Sequence, residues 1–322
     1  METGTTPEGR AALSLRGIHK SFGEKQAVRG LDLEIPAGQV FGLLGPNGAG
    51  KSTTIRIAMD IYRPDAGSVT ILGRSPSPEV SARIGYMPEE RGIYTKMRVK
   101  DVLIFMAAIR GLSAATAGPR ADQWLRRLEL EAWSGRKVLE LSKGMQQKVQ
   151  FIATILHDPE LVVLDEPFSG LDPINAQVLK DIIVELRARG RTIIFSTHVM
   201  EQAERLCDAI CVINGGRKVL EGAMAEIKGR YGRNTVALAF DGDGSFLNQH
   251  PLVRTMNNYN TYVEVRLVDE ADPQQLLASI VPRVRVRRFE VIEPSLHEIF
   301  IERVKETSQS EGTHIGPEVA RV

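Results

Sequence analysis

The sequence lacks four features that would each indicate a particular class of protein. Its 322 residues include only two cysteines, too few for a disulfide framework and typical of a reducing compartment. The net charge is only +1, so no long-range field favours a polyanion such as nucleic acid. Uncharged apolar runs reach only about eight residues, whereas a membrane-spanning helix needs about 20. The first residues, METGTTPEGRAALS, lack the apolar core of a signal peptide. We therefore expect a cytoplasmic chain without a membrane span.

The two cysteines, Cys207 and Cys211, lie close together in the chain. Their spacing could suit a metal site, but no other ligand stands near them in the sequence. A free cysteine most often behaves as a small apolar residue and is commonly buried. We therefore interpret both as buried apolar residues rather than as metal ligands.

Short apolar segments alternate with amphipathic ones over the first two thirds of the chain. The runs at 39–45, 160–167 and 191–197 are short and almost continuously apolar, as buried strands are. Residues 52–62 and 174–190 instead repeat apolar residues at helical spacing. Because strands that alternate with helices form parallel sheets covered by helices, we predict an α/β fold with a mainly parallel sheet.

The character of the sequence changes near Gly232, where strand-like runs such as RVRVRRFEVI begin to dominate. Between them, DPQQLLASIV has the spacing of a short amphipathic helix. Both ends of the chain are polar, which favours disorder over a packed core. The predicted segments are a mobile tail at 1–12, an α/β domain at 13–232 with a helical part at about 97–158, a C-terminal α+β domain of split βαβ kind at 233–303, and a disordered tail at 304–322.

The segment GPNGAGKST follows a predicted strand, precedes a predicted helix and matches the phosphate-binding pattern G-x-x-x-x-G-K-[ST]. Its glycines allow backbone N–H groups to turn inward on phosphates, and the helix start adds a partial positive charge. Lys51 can then span the β and γ phosphates, while the Ser52 hydroxyl can bind Mg²⁺. The predicted nucleotide-binding residues of this loop are Gly45, Pro46, Asn47, Gly48, Ala49, Gly50, Lys51, Ser52 and Thr53.

Two acids end the apolar run LVVLDEP. A phosphate loop needs an acid at the end of a neighbouring strand to hold magnesium, and Asp165 fits that place. Glu166 follows directly and is placed to accept a proton from an attacking water. His198 follows the strand-like run TIIFST, where a neighbouring strand would end facing the γ-phosphate. We predict Lys51, Glu166 and His198 as catalytic residues and Ser52 with Asp165 as metal ligands.

A second helix start, LSKGMQQKVQ at 141–150, combines the hydroxyl of Ser142 with the glycine Gly144. Taken alone, Ser142 is most simply a helix N-cap. The same hydroxyl and backbone N–H groups also suit a phosphate at a helix start. The residues by themselves leave both interpretations open.

Five motifs, GPNGAGKST, LSKGM, LVVLDEP, SGLD and STH, occur in the order and spacing of ABC transporter ATPases, and the chain resembles that family over about residues 13–230. LSKGM, YMPEERGIY and the late segment PSLHEIFIERV resemble bacterial sodium- and drug-export ATPases in particular. The resemblance implies a P-loop NTPase of the ABC type, with a mainly parallel core sheet, an antiparallel β subdomain and an inserted helical subdomain. It also implies ATP and Mg²⁺ as cofactors.

The resemblance further implies that two ATPase chains, identical or different, pair head to tail. Each ATP would lie between one chain's phosphate loop and the Ser142, Lys143 and Gly144 of the other. Phe22 would stack on adenine, and Asp172 of SGLD would link the two sites. The family also works on a separately encoded membrane permease, which places such a subunit on the inner face of the membrane. Export is the expected direction because the chain resembles the sodium- and drug-export ATPases in particular.

Two motifs depart from the family pattern. Lys143 and Met145 replace a glycine and a glutamine of the usual LSGGQ, so a charge is added and a side-chain amide is lost. Glu89, in YMPEERGIY, stands where the family has a glutamine that reaches the magnesium. A glutamate can bind Mg²⁺ through oxygen, or it can contact only the membrane partner, and the sequence leaves both open.

Two other classes of protein compete with a transport ATPase. Soluble ABC proteins that act on nucleic acid or ribosomes usually carry paired ATPase units or long coiled-coil insertions, and this chain shows one unit, no heptad run and no basic tract. An unrelated P-loop kinase or switch GTPase would lack LSKGM and SGLD. The sequence therefore favours an ATP-driven transport subunit over both alternatives.

Overall fold

A computed structural model of the chain describes residues 11–90, 92–230, 235–259, 261–268, 271–293, 295–301 and 303. It divides into two compact units between Gly222 and Ala223. Nearly all of the two predicted tails lies outside the described residues. The exception is the end of the N-terminal tail. The predicted tail ends two residues too late. Ala11 pairs with Pro36 and Ala12 is buried, so both belong to the first strand.

The first unit follows the predicted alternation of strands and helices. Its strands are β1 (Ala11–Phe22), β2 (Lys25–Pro36), β3 (Val40–Leu44), β4 (Ala66–Ile71), β5 (Ile84–Met87), β6 (Leu161–Asp165), β7 (Thr192–Thr197), β8 (Ala209–Asn214) and β9 (Arg217–Ala223). Its helices are α1 (Lys51–Ala58), α2 (Pro78–Ser81), α3 (Val99–Ile109), α4 (Ala114–Arg127), α5 (Lys143–Ile155), α6 (Pro173–Ala188) and α7 (Met200–Leu206), with 3₁₀ turns at Glu131–Trp133 and Val138–Glu140.

The main sheet of this unit has six strands in the order β5-β6-β7-β3-β8-β9, and those from β5 to β8 are parallel. Strands β3 and β6 are buried at every position, which explains their continuous apolar runs. The carboxyl ends of β3, β6 and β7 meet at one edge, where Asp165 pairs with Ser196 and Leu44 with Thr197. This edge therefore carries the segments predicted to bind nucleotide.

An antiparallel sheet in the order β2-β1-β4 packs on the same core. Leu15 of β1 and Ile35 of β2 share one hydrophobic cluster with Leu43 and Val163 of the parallel sheet. The tip of the β1–β2 hairpin carries Phe22 and lies beside the loop that follows β3. The predicted antiparallel β subdomain thus brings an aromatic side chain to the edge of the parallel sheet.

Helices α3, α4 and α5 pack on one another and correspond to the predicted helical part. Fully buried apolar residues hold them together, among them Val102, Leu103, Ala121 and Leu125. None of the described helices combines the length and the apolar character needed to cross a bilayer.

The two cysteines lie in the core of the first unit and form no disulfide. Burial raises the pKa of both the Cys207 and the Cys211 thiol, so both remain protonated at neutral pH. A Cβ added at Gly42 would lie 2.7 Å from the Cys207 Sγ, which shows how closely that thiol is packed. Within the described ranges, no group of three or more histidine, cysteine, aspartate or glutamate side chains could hold a metal ion. The interpretation of both cysteines as buried apolar residues is confirmed.

The second unit is an antiparallel sheet with helices, as the sequence predicted. It contains α8 (Met224–Arg230), β10 (Thr235–Asp241), β11 (Val253–Tyr259), β12 (Tyr262–Leu267), α9 (Pro273–Ile280) and β13 (Arg285–Ile292), with a 3₁₀ turn at Ser245–Gln249. The strand order is β11-β12-β10-β13, and Val236 and Val265 of the sheet pack on Leu276 and Ile280 of α9. This is a split βαβ arrangement.

One expectation for this unit was wrong, and one of its strands was not predicted. The boundary predicted at 232/233 lies too late, because α8 belongs to the second unit, where Lys228 of α8 lies 3.9 Å from the Glu293 carboxylate. Strand β11 was not predicted, because its sequence VRTMNNY is mostly exposed and has no clear alternation of apolar and polar residues.

Candidate nucleotide site

The loop between β3 and α1 is closely enclosed by neighbouring backbone. A Cβ added at Gly45 would lie 2.1 Å from the Ile213 carbonyl oxygen, and one at Gly50 would lie 2.5 Å from that of Ala27. Gly48 has a φ of 78°, in the left-handed region that glycine adopts most easily. No side chain caps α1 at Gly50, so the first N–H groups of the helix are available to an anion. The loop therefore has the shape of a phosphate cradle.

Lys51 lies inside this loop and is only 5% exposed. Its Nζ donates to the carbonyl oxygens of Gly45 (2.8 Å) and Pro46 (3.2 Å), and lies 3.6 Å from the Glu166 Oε1. A buried ammonium is costly unless it is paired and hydrogen-bonded, so the fold holds this cation in place for a stronger anion. Phosphate oxygens are such acceptors.

Asp165 ends β6 and is fully buried, at 0% exposure. Its Oδ1 accepts hydrogen bonds from the hydroxyls of Ser196 (2.5 Å) and Ser52 (3.2 Å). Its Oδ2 is buried and has no hydrogen-bond partner. A buried carboxylate oxygen without a partner is costly, and with a neighbouring hydroxyl it offers the oxygen ligands that Mg²⁺ takes. Asp165 and Ser52 therefore fit a magnesium ion that completes its shell with phosphate and water.

Glu166 lies between a cation and an imidazole. Its Oε1 is 3.0 Å from the His198 Nδ1 as well as 3.6 Å from the Lys51 Nζ, and its backbone N–H donates to the Ser196 hydroxyl at 3.0 Å. The φ of Glu166 is 48°, an unfavourable value for a side chain other than glycine, and such strain is typical of functional sites. The arrangement holds a carboxylate at the edge of the phosphate loop.

An open groove of about 310 Å³ joins the phosphate loop and Glu166 to two residues from other elements, and neither Asp165 nor His198 lines it. Phe22 comes from the tip of the β1–β2 hairpin, is 46% exposed, and is steadied by an edge-to-face contact with Tyr62 at 5.4 Å between ring centroids. Glu89 comes from the segment after β5. The full lining is Phe22, Lys25, Ala27, Asn47, Gly48, Ala49, Gly50, Lys51, Ser52, Thr53, Glu89 and Glu166. The groove thus offers an aromatic surface at one place and a phosphate loop at another.

Six of the predicted nucleotide-binding residues do not line this groove: Gly45 and Pro46, at the start of the phosphate loop, and Ser142, Lys143, Gly144 and Asp172, which belong to other segments. Within one chain, Ser142 caps α5 by accepting from the Met145 N–H at 3.3 Å. Asp172 caps α6 by accepting from the Asn175 N–H at 2.9 Å, and hydrogen bonds from Asn175 lower the pKa of the Asp172 carboxyl. Ser142 and Asp172 are exposed helix caps in the single chain.

Several residues around the site were not predicted. Ser196 binds both Asp165 and the backbone of Glu166, and its position in the STH motif could have indicated this. Lys25 and Ala27 line the groove because β2 passes beside the loop. No local pattern in the sequence marks these two residues.

Comparison with known proteins places this site in a family. A family model described as ABC transporter matches residues 28–169, and one described as ATP-binding protein DrrA1-3-like, C-terminal domain, matches residues 222–304. An uncharacterised ABC transporter ATP-binding protein of Bacillus subtilis (strain 168) is 42% identical over 292 residues, which cover 91% of this chain and 98% of the relative.

Two further likenesses agree with this result. A Nod factor export ATP-binding protein I of Rhizobium sp. (strain N33) is 36% identical over 300 residues, which cover 91% of this chain and 96% of the relative. A solved structure of an ATP binding subunit of an ABC transporter matches with a TM-score of 0.64 and 31% identity, over 68% of this chain and 93% of that one.

These matches confirm the predicted fold class, an ABC-type P-loop ATPase with a small C-terminal α+β domain. They also agree with the geometry at the carboxyl edge of the parallel sheet, where a phosphate loop, a buried lysine and two acids meet. The chain therefore belongs to the ABC transporter family as an ATP-binding subunit that hydrolyses ATP.

Proposed function

We propose that this chain drives an exporter by closing and opening a dimer around ATP, while docked on a membrane permease encoded separately. The observation that carries the proposal is that, within one chain, only some of the predicted ATP contacts lie at the groove. The groove is lined by Phe22, residues 47–53 of the phosphate loop and Glu166, whereas Ser142 lies outside it and serves as a helix cap. A second chain, placed head to tail, would bring its Ser142 and Gly144 to the exposed side of the bound phosphates.

The chemistry within each site follows from the positions of the side chains. Lys51 would bind the β and γ phosphates, and Ser52 with Asp165 would hold Mg²⁺. When bound, Mg²⁺ would neutralise developing negative charge on the phosphates. Glu166 would accept the proton of the attacking water, and His198, at 3.0 Å from it, would orient that carboxylate. Glu89, exposed at the edge of the groove, would add an oxygen near the metal.

Export as the direction of transport is supported by the relatives. One of them is named as an ATP-binding protein of Nod factor export, and it aligns with nearly the whole chain. We propose the same direction here, with the chain acting at the inner face of the membrane. Purification of the full chain from its own cells should bring down a polytopic membrane protein. Recovery with ribosomes or nucleic acid, and without a membrane protein, would reject the transport role.

The two-chain site can be tested at Ser142. Arginine at this position should block the partner's γ-phosphate and lower ATP hydrolysis by at least about 100-fold, as loss of one phosphate-stabilising donor does in other sites. ATP binding to the single chain should persist, because the groove is unchanged. The matched control is Ser113→Arg, because Ser113 caps α4 with the same 3.3 Å bond that Ser142 makes at α5.

Both substitutions remove a helix cap, which costs about 1 kcal/mol of stability. Only Ser142→Arg should stop hydrolysis. Mixing it with Lys51→Ala chains builds dimers in which one of the two sites is intact, so up to half of the activity per dimer can return. Full ATPase activity of Ser142→Arg alone would mean that Ser142 is only a helix cap.

A further inference from the structure

One buried side chain holds the backbone on both sides of Glu89. The Nε2 of Gln150, on helix α5, donates to the carbonyl oxygen of Pro88 at 3.0 Å and to that of Glu90 at 3.4 Å. Gln150 is only 6% exposed, whereas Glu89 is exposed and lines the nucleotide groove. A primary amide carries two N–H donors, which matches the two carbonyl groups. The Gln150 amide therefore fixes the segment that presents Glu89.

The base of the same segment also rests on α5. Strand β5 leads into it, and a Cβ added at Gly85 of β5 would lie 2.2 Å from the Thr154 carbonyl oxygen of α5. Only glycine permits this close approach of strand to helix. The backbone therefore packs closely on α5 within β5, at Gly85, and is hydrogen-bonded to α5 after β5, where Gln150 binds Pro88 and Glu90.

Helix α5 also contacts two other parts of the ATPase machinery. Ser142 caps its N-terminus. One turn before Gln150, the Nε2 of Gln147 donates at 2.8 Å to the carbonyl oxygen of Pro167, which directly follows Glu166. A single helix therefore connects the predicted contact to a second chain's ATP with the backbone beside Glu166 and the backbone around Glu89.

We propose that Gln150 is a positioning residue that sets Glu89 in the nucleotide groove. The proposal rests on the function proposed above, in which Glu89 would add an oxygen near the metal of the nucleotide site. Gln150 lines no part of the groove itself and acts through the carbonyl groups of Pro88 and Glu90.

The test is a double-mutant cycle between Gln150→Met and Glu89→Ala in the full chain. Methionine keeps the length of glutamine but cannot donate a hydrogen bond, so the carbonyls of Pro88 and Glu90 lose their partner. We expect Gln150→Met to lower kcat about tenfold and to raise the Mg²⁺ concentration needed for half-maximal turnover by a similar factor. ATP binding without metal should change less than about twofold, because Lys51 and Phe22 are untouched.

In a chain that already carries Glu89→Ala, adding Gln150→Met should lower kcat by less than about twofold, because residues that act together are not additive. The matched control is Gln177→Met, since the Gln177 amide donates to Asp181 on the exposed face of α6, away from the groove. Wild-type kcat and Mg²⁺ dependence in Gln150→Met, or losses that multiply in the double mutant, would overturn the proposal.

A second variant, Gln150→Glu, tests the same bonds without changing the shape of the side chain. Its ionised form faces two carbonyl oxygens and cannot donate, while its protonated form can donate one hydrogen bond. Burial raises the pKa of such a carboxyl, so the protonated form gains as pH falls. Activity relative to wild type should therefore rise between pH 8 and pH 6, at about the point where the buried acid takes up its proton. A ratio that does not change with pH would contradict the role of Gln150 even if Gln150→Met does not fold.

The failure of this inference can be distinguished from the failure of the proposed function. If wild type hydrolyses ATP and Ser142→Arg does not, the two-chain mechanism stands, and only the Gln150 measurements decide the positioning role. If Ser142→Arg keeps full activity, the two-chain mechanism itself fails, whatever the Gln150 variants do.

Discussion

Replacing Glu166 with glutamine should slow ATP hydrolysis by about 10²–10⁴-fold while ATP binding persists. Glutamine keeps the size of the side chain and can still bond the His198 imidazole, which lies 3.0 Å from the Glu166 carboxylate. It cannot accept the proton of an attacking water. Because hydrolysis is then slow and binding is not, the variant should accumulate as an ATP-bound dimer, visible by light scattering.

Glu160→Gln is the matched control for this experiment. Glu160 immediately precedes β6 and Glu166 follows it, so the two acids lie at opposite ends of one strand. Glu160 binds the Arg83 guanidinium at 2.6 Å on the surface, and its substitution should leave kcat within about twofold, since exposed ion pairs contribute little. Normal turnover in Glu166→Gln, without extra dimer, would assign the proton acceptor to another group.

Replacing Lys51 with alanine should abolish measurable ATP turnover, a loss of at least about 10³-fold. The ammonium group is the buried cation of the phosphate loop, held by the carbonyls of Gly45 and Pro46. Its removal takes away a charge-assisted bond to the phosphates and leaves the Glu166 carboxylate without the cation 3.6 Å away. Steady-state ATPase assays at saturating ATP, with circular dichroism to confirm folding, measure the effect.

Lys100→Ala serves as the control, because it removes a lysine–aspartate ion pair of 2.8 Å on the helical subdomain, at the partly exposed Asp122. Its kcat should remain within about twofold of wild type. Turnover at the wild-type rate in Lys51→Ala would reject the assignment of the loop at 45–53 as the phosphate site.

The site residues that were predicted are those whose role depends on their immediate neighbours in the sequence. The loop needs glycine because neighbouring backbone leaves no space for a Cβ at Gly45 or Gly50. This requirement appears in the sequence as a short motif of consecutive residues. Asp165 and Glu166 were predictable because a buried apolar strand that ends in two acids breaks the usual rule for buried charge. His198 followed from its place at the end of another strand. The expected metal role of Glu89 remains a prediction, supported by its position on the groove.

The parts that were missed depend on contacts between distant segments. Ser196 reaches Asp165 because β6 and β7 are neighbours, and Gln150 reaches Pro88 across more than sixty positions of the chain. Strand order and helix packing set these distances, and neither leaves a pattern in the residues nearby. The boundary between the units was also missed, because α8 has the same helical character as the helices before it and only its packing assigns it to the second unit.

The sequence by itself determined the chemistry of this protein: an anion-binding loop, a buried cation, two acids and a second helix start. Few other roles suit those residues, because the loop has no space for larger side chains and because burying an unpaired charge is costly. Only the tertiary structure decided which of them meet within one chain. Parallel pairing brings Lys51, Asp165, Glu166 and His198 to one edge of the sheet, while Ser142 remains outside the groove at the start of α5. Side chains from separate elements share a site only where the order of strands and the packing of helices bring their ends together, and residue patterns along the chain do not encode that order.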